Sequence, residues 1–360
     1  MKKKILFIMP TFNSAGAERV TSNIINNIDR ERFNVELMIV KEGEYEFLKN
    51  IKSDVLIRKL NCKKSLKFSL ISIFKEILDS NPQTIFIGTG HLAVLLSPFV
   101  PFFSKYKWIV RETNFVSSNA KNGFVKFIYR YFFSNFDIVI AQCEDMKNNL
   151  CKKFGINDKK VTVINNPVDT DYIDRQINDY EEVVFTDKIN LVACGRLTWQ
   201  KGFENLILDF SKFKKLNNYH LTIIGKGEGD ERDTTDLLKR LVIDYNLSDH
   251  VTFLGHKNNV YPWLMSADLF ILSSLFEGFP NILLETIYCG CPVISNDCPG
   301  GIKDIILDGY NGLVYKSGVN LECMVLRAEE IDRTNKSNFS NYIRNKFGVR
   351  KIIKEYEDIL

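Results

Sequence analysis

Four charged residues in the C-terminal half have types and spacings suited to binding a sugar phosphate. Arg196 and Lys201 lie in ACGRLTWQKGFENLI (193–207), between a strand ending at Gly195 and a helix starting near Gly202. Two cations five residues apart at a strand's carboxyl end can grip one phosphate, Arg as a planar fork and Lys as a point charge. By itself that spacing equally suits a solvated loop. Glu277 and Glu285 bracket FEGFPNILLE (276–285). Gly278 and Pro280 shape a turn there, and Asn281 is the expected N-cap of a helix running from Ile282 to Cys289. The free amides of its first turn, at Asn281 and Ile282, form an anion site. A carboxylate accepts two hydrogen bonds from a vicinal diol. Glu277 before the helix and Glu285 inside it therefore suit a ligand with sugar hydroxyls on both sides of a diphosphate. Taken alone, Glu285 reads as an acid favoured by the helix dipole.

Alternating elements must position these groups. Short apolar, β-branched runs at 4–11, 35–40, 84–89, 107–112, 137–142 and 160–165 predict buried parallel strands joined by crossover helices. The pattern restarts at 189–195, 221–225, 251–255, 269–274, 292–297 and 312–315, with helices at 203–216 and 235–245 between. The polar, acidic stretch NNPVDTDYIDRQINDYEEVVFTDK (165–188) separates the two series. The fold expected is α/β, two tandem Rossmann-like domains: an N-terminal domain at 1–168, a linker at 169–188 and a second domain at 189–341. A final helix, 342–360, is expected to cross back to the first domain. Ligands of such sheets bind at the strands' carboxyl ends, here in the cleft where the two sheets face each other.

Other motifs carry less. Gly225, Gly227 and Gly229, and the GxGxxA run Gly88–Ala93, lack the context of a dinucleotide fingerprint and read as loop glycines. Asp169-Thr170-Asp171 is a DxD sequence, but it falls in the expected linker rather than at a strand end. The eight cysteines form no CxxC pair, which fits reduced core thiols of a cytosolic protein. The apolar run Ile5–Pro10 is too short for a signal peptide, and no stretch is long enough to span a membrane. Residues 1–170 hold 26 Lys and Arg against 16 Asp and Glu, whereas residues 171–360 hold 22 against 28. A basic first half suits an anionic partner or simply a solvated basic surface.

In combination these residues are more specific. Arg196…Lys201 after the second domain's first strand, followed by Glu277-x7-Glu285, resembles the retaining nucleotide-sugar glycosyltransferases of family 4, with the GT-B fold. SAGAERV (14–20), VINNPVD (163–169), SNDCPGGIKDII (295–306) and DGYNGLVY (308–315) resemble further segments of that family, so the likeness covers essentially the whole chain. It implies that Gly195, Arg196 and Lys201 hold the donor's distal phosphate and counter the charge developing on it. The amides of Asn281 and Ile282 would hold phosphate, Glu285 the ribose and Glu277 the transferred sugar. Gly16 would approach the diphosphate, and Gly255 and His256 the base. The leaving phosphate would help deprotonate the acceptor, with no enzyme nucleophile, cofactor or metal.

Two positions depart from the family pattern. Ala15 replaces a glycine of the first turn. Thr113 stands in VRETNF where many members have a histidine, and Glu112, Thr113 and Asn114 are expected to face the acceptor or donor sugar. The segment Lys121–Phe136 mixes basic and aromatic residues on a predicted helix, consistent with a membrane-docking or a core helix. The expected function is transfer of a hexose or N-acetylhexosamine from a UDP-sugar to a lipid-diphosphate-linked bacterial glycan of O-antigen or capsule type. The enzyme would work in the cytoplasm at the inner face of the cell membrane, in contact with anionic lipid and without nucleic acid. A nucleotide-sugar epimerase or hydrolase and a non-catalytic sugar-binding protein are the alternatives.

Overall fold

The computed structural model describes residues 2–360 apart from 14, 15, 44, 64, 116–122, 179–182, 184–186, 317 and 333–335. Ala15 and the start of the basic–aromatic segment, Lys121 and Asn122, lie outside the described residues. The chain divides into two compact units, Met1–Pro167 with Phe347–Leu360, and Val168–Lys346.

The first unit holds seven parallel strands, β1 (Lys3–Met9), β2 (Phe33–Lys41), β3 (Leu56–Cys62), β4 (Thr84–Ile87), β5 (Lys107–Arg111), β6 (Ile138–Ala141) and β7 (Val161–Val163). Their order is β3-β2-β1-β4-β5-β6-β7. Central strands covered on both faces need apolar residues throughout, and Ile5 to Met9 of β1 are completely buried. Edge strand β3, LIRKLNC, has no fully buried residue, so it gives no apolar run and was not among the strands expected. The expected terminal helix is two helices, Lys336–Phe347 and Val349–Ile359. Gly348, with φ −58° and ψ 142°, separates them. Only the second belongs to the first unit, where Ile352, Ile353 and Tyr356 enter the core under β1 and β4.

The second unit holds β8 (Ile189–Cys194), β9 (Tyr219–Ile224), β10 (Val251–Gly255), β11 (Leu269–Leu272), β12 (Val293–Asn296) and β13 (Gly312–Tyr315), all parallel in the order β10-β9-β8-β11-β12-β13. The strand order reverses between β8 and β11, and such a switch point opens a crevice at the carboxyl ends. Arg196 and Lys201 follow β8, and Glu277 follows β11. The helix expected at 203–216 ends at Phe210.

The expected linker begins with structure. Thr170–Asn178 is a helix that buries Thr170 and Ile173 and groups with the second unit. The Asp169 carboxylate accepts from the Tyr172 amide at 2.9 Å. The DxD sequence is therefore a helix start, with Asp169 as its capping acid. Its apolar residues are sparse enough to be hidden among acids and amides.

Candidate functional site

In the second unit, Gly195 continues β8, donating its N–H to the Ile224 carbonyl at 2.9 Å. The chain then turns through Arg196–Thr198 and a short 3-10 segment, Trp199–Lys201, into the helix Phe203–Phe210. The Lys201 side chain lies back across Gly195, where a β-carbon would come within 3.2–3.3 Å of its methylenes. This placement carries the ammonium to Glu277 Oε1, 2.6 Å away. The Ser274 hydroxyl donates to the same oxygen at 2.6 Å. Both members of the pair are largely buried, with side-chain exposures of 15% for Lys201 and 9% for Glu277.

The same two loops are further knitted together by four other contacts. Leu275 N–H donates to the Gln200 carbonyl, and Gln200 Nε2 donates to the Phe276 carbonyl. Ser273 Oγ donates to the Lys201 carbonyl, and the rings of Trp199 and Phe276 lie 5.5 Å apart. The loop after β12 closes behind Glu277. Glu277 N–H donates to the Pro299 carbonyl and Gly301 N–H to the Gly278 carbonyl. Gly300 has φ +132°, and a β-carbon there would sit 2.2 Å from the Glu277 carbonyl oxygen. Only glycine satisfies both conditions. Cys298 is buried beside the pair, and burial together with the Glu277 carboxylate pushes its thiol up to about 12.

Arg196 has a different partner. Its Nη1 lies 2.5 Å from Glu228 Oε1, and Arg232 pairs with the other oxygen of that carboxylate. Glu228 belongs to the glycine-rich turn after β9, which was expected to supply only loop glycines. The turn packs directly on the loop after β8. Gly225 has φ +153°, and a β-carbon there would overlap the Gly195 carbonyl. Leu197 N–H donates to the Lys226 carbonyl, and Asp233 accepts from Gly229 N–H and Thr235 N–H. Gly225 N–H also donates to the Gly255 carbonyl, so the end of β10 braces the same turn, with exposed His256 next in the chain. Sequence reasoning missed Glu228, Ser274 and the Gly300 contact. An acid following a strand end in a glycine-rich loop was the available signal for Glu228.

The helix after Glu277 runs Asn281–Tyr288, and its N-cap is Pro280, not Asn281. Asn281 is the first helical residue, because Pro280 already has the extended backbone of a cap and its carbonyl accepts from Leu283 N–H at 3.0 Å. The first-turn amides include those of Asn281 and Ile282, as a helix start requires. Glu285 is buried on the same helix, 6% exposed.

The residues expected in the first unit divide differently. Gly16 begins the helix Gly16–Asn27 and is exposed. Two positions into that helix, Glu18 is buried and accepts from the Thr11 hydroxyl at 2.9 Å. Glu112 does not present its carboxylate to a ligand. It is 1% exposed, and it accepts from the amides of Thr113 and Asn114 at 2.9 and 3.1 Å and from the Tyr129 hydroxyl at 2.5 Å. Burial raises its pKa above the ordinary carboxylate value. Thr113 and Asn114 are half-buried on the loop that Glu112 shapes.

Among the described residues no group of three or more His, Cys, Asp or Glu side chains is arranged to hold a metal ion. In the second unit Arg196 and Lys201, each paired with a carboxylate, follow β8, and helix-start amides follow β11, groups able to contact an anion.

Residues 14–172 match the family model described as Glycosyltransferase Family 4, and residues 174–346 match that described as Glycosyl transferases group 1. The chain belongs to glycosyltransferase family 4. One relative in the family is the N-acetylgalactosamine-N,N'-diacetylbacillosaminyl-diphospho-undecaprenol 4-alpha-N-acetylgalactosaminyltransferase of Campylobacter jejuni. It is 25% identical over 334 residues, covering 88% of this chain and 86% of the relative. The amylovoran biosynthesis glycosyltransferase AmsD of Erwinia amylovora is 25% identical over 366 residues, covering the whole of both chains. Anabaena HepE in complex with UDP superposes with a TM-score of 0.79 at 18% identity, over 100% of this chain and 99% of HepE. Two parallel Rossmann-like sheets of seven and six strands and these structural neighbours make the fold GT-B.

Proposed function

We propose that this glycosyltransferase moves a hexose or N-acetylhexosamine from a UDP-sugar to a growing, lipid-diphosphate-linked bacterial glycan, with retention of anomeric configuration. The observation that carries the donor side is the Lys201–Glu277 pair, 2.6 Å apart at the switch point of the second sheet. A cation held ready by a carboxylate can transfer its contact to an incoming diphosphate. The carboxylate is then available to accept from sugar hydroxyls, aided by the Ser274 hydroxyl. Arg196 leans on Glu228 in the same way and is half-exposed, so it can swing to the distal phosphate. Asn281 and Ile282 would supply amides to phosphate, Glu285 would take the ribose diol, and Gly255 and His256 would border the base.

In the reaction the bond from the sugar's anomeric carbon to the diphosphate oxygen breaks. A bond to the acceptor oxygen forms on the same face. The acceptor proton ends on the departing phosphate oxygen, leaving UDP and the extended glycan. Lys201 and Arg196 stabilise the developing charge, and no metal ion or cofactor takes part in the proposal. A UDP donor is supported by the HepE complex with UDP-glucose. A lipid-linked acceptor is supported by the diphospho-undecaprenol substrate in the name of the Campylobacter relative. The setting proposed is the cytoplasmic face of the cell membrane, in O-antigen or capsule assembly; among the described residues no helix is long and apolar enough to cross a membrane.

The test is incubation of the purified chain with a panel of UDP-sugars and extracted lipid-linked glycans. Acceptor-dependent UDP release and a product heavier by one sugar are expected. UDP release that ignores the acceptor would overturn transfer in favour of hydrolysis.

A further inference from the structure

The first unit exposes aromatic side chains that its fold had every opportunity to bury. The helix Gly123–Phe132 turns Ile128 and Tyr129 inward, yet leaves Phe124 66%, Phe127 47% and Tyr131 60% exposed. The adjoining 3-10 segment Ser97–Phe103 packs against this helix and leaves Phe102 80% exposed. These rings are not on a loose element. Tyr129 is held from inside by its hydrogen bond to Glu112 and by stacking on buried Phe133 at 3.9 Å. Phe124, Phe127 and Tyr131 recur at i, i+3 and i+7 and so share one face of the helix, and large exposed rings grouped this way mark an interaction surface.

The charge around the rings selects the partner. Between Ser97 and Phe136 the only acidic residue is Glu112, which is buried. Lys105, Lys126 and Arg130 are exposed on the same two segments or at their ends. A second copy of the chain would bring a like-charged face against this one. Aromatic side chains mixed with cations, without acids, match the boundary of an anionic bilayer, where rings sit at headgroup depth and cations meet lipid phosphate.

We propose that Phe102, Phe124, Phe127 and Tyr131, with Lys105, Lys126 and Arg130, dock the chain on an anionic lipid surface. This extends the lipid-linked acceptor reading by naming the face that meets the membrane. The full chain is sedimented with vesicles of phosphatidylcholine alone and of phosphatidylcholine with phosphatidylglycerol, without donor or acceptor. Binding is expected to the anionic vesicles only and to weaken with salt. The double variant Lys126→Glu/Arg130→Glu, at exposed positions, is expected to lose about 30-fold or more in binding, given the contribution of each cation near such a surface. Phe102→Ser/Phe127→Ser is expected to lose binding even at low salt, because rings insert where charge alone only attracts. Both variants should keep wild-type turnover on a detergent-soluble acceptor. Equal binding to both vesicle types, or unchanged binding by both variants, overturns the proposal. So does a concentration-dependent dimer that these substitutions abolish, which assigns the face to a second copy. Vesicle binding and donor turnover are read separately, so failure of one leaves the other standing.

Discussion

Each unit places a buried glutamate just after a parallel strand, Glu112 after β5 and Glu277 after β11. Their partners differ in kind. Glu112 accepts from two backbone amides and a tyrosine hydroxyl, all neutral, and burial raises its pKa. Glu277 accepts from a lysine ammonium and a serine hydroxyl. A carboxylate enclosed by neutral donors of its own unit has completed its bonding, and its role is to hold a loop. In the proposed function the Lys201–Glu277 pair at the switch point is instead a contact that an anionic ligand enters. Equal burial of two acids therefore does not mean equal purpose, and the charge of the partner separates them.

The largest expected effect tests the second unit. Lys201→Ala should lower kcat/KM by roughly 10²–10³-fold, as loss of a preorganised group facing developing charge does. A steady-state assay with the UDP-sugar found active would read it. Activity within a few-fold of wild type would make the pair structural, like Glu112. Next, Gly300→Ala should cost about 2 kcal/mol of stability, because its β-carbon meets the Glu277 carbonyl at a positive φ. Its urea midpoint should fall, and turnover should fall with it as Glu277 shifts. Arg196→Ala should be milder, about 10-fold in kcat/KM with little change in stability, since its ion pair with Glu228 is half-exposed.

The smallest effect on catalysis is expected in the first unit. Tyr129→Phe should cost about 1–2 kcal/mol by leaving the Glu112 carboxylate short of a donor, with activity changed less than about threefold. Glu112→Gln adds a pH test. A carboxyl whose folded pKa is raised favours the folded state below its unfolded value, near 4.5, and loses that contribution as pH rises through the folded value. Thermal melts should therefore show wild type gaining on the Gln variant at pH 4 relative to pH 7. The opposite trend would mean that Glu112 is stabilised as the anion, and the contrast between the two acids would fail.

Much of the fold was legible because central parallel strands must be apolar on both faces. The runs at β1, β2, β4–β6, β8, β9, β11 and β12 announce themselves for that reason. Edge strand β3 and the helix Thr170–Asn178 were not legible, since each buries only part of its surface and its apolar residues are diluted by charge. The helix start after Glu277 was read one residue late. Pro280 has the fixed φ of a turn residue, and its role as cap depends on the backbone that follows it.

By its order of residue types, the sequence alone determined which side chains reach the carboxyl ends of which strands. Lys201 after β8 and Glu277 after β11 lie at adjacent strand ends in any sheet where those strands are neighbours. Tertiary structure alone decided where each side chain points and whom it meets. It turned Glu112 inward to Tyr129, seventeen residues further along the chain, gave Arg196 to Glu228, and left the rings of Phe124, Phe127 and Tyr131 facing out. Those outcomes depend on contacts between residues distant in the chain, and spacing along the chain carries no record of them.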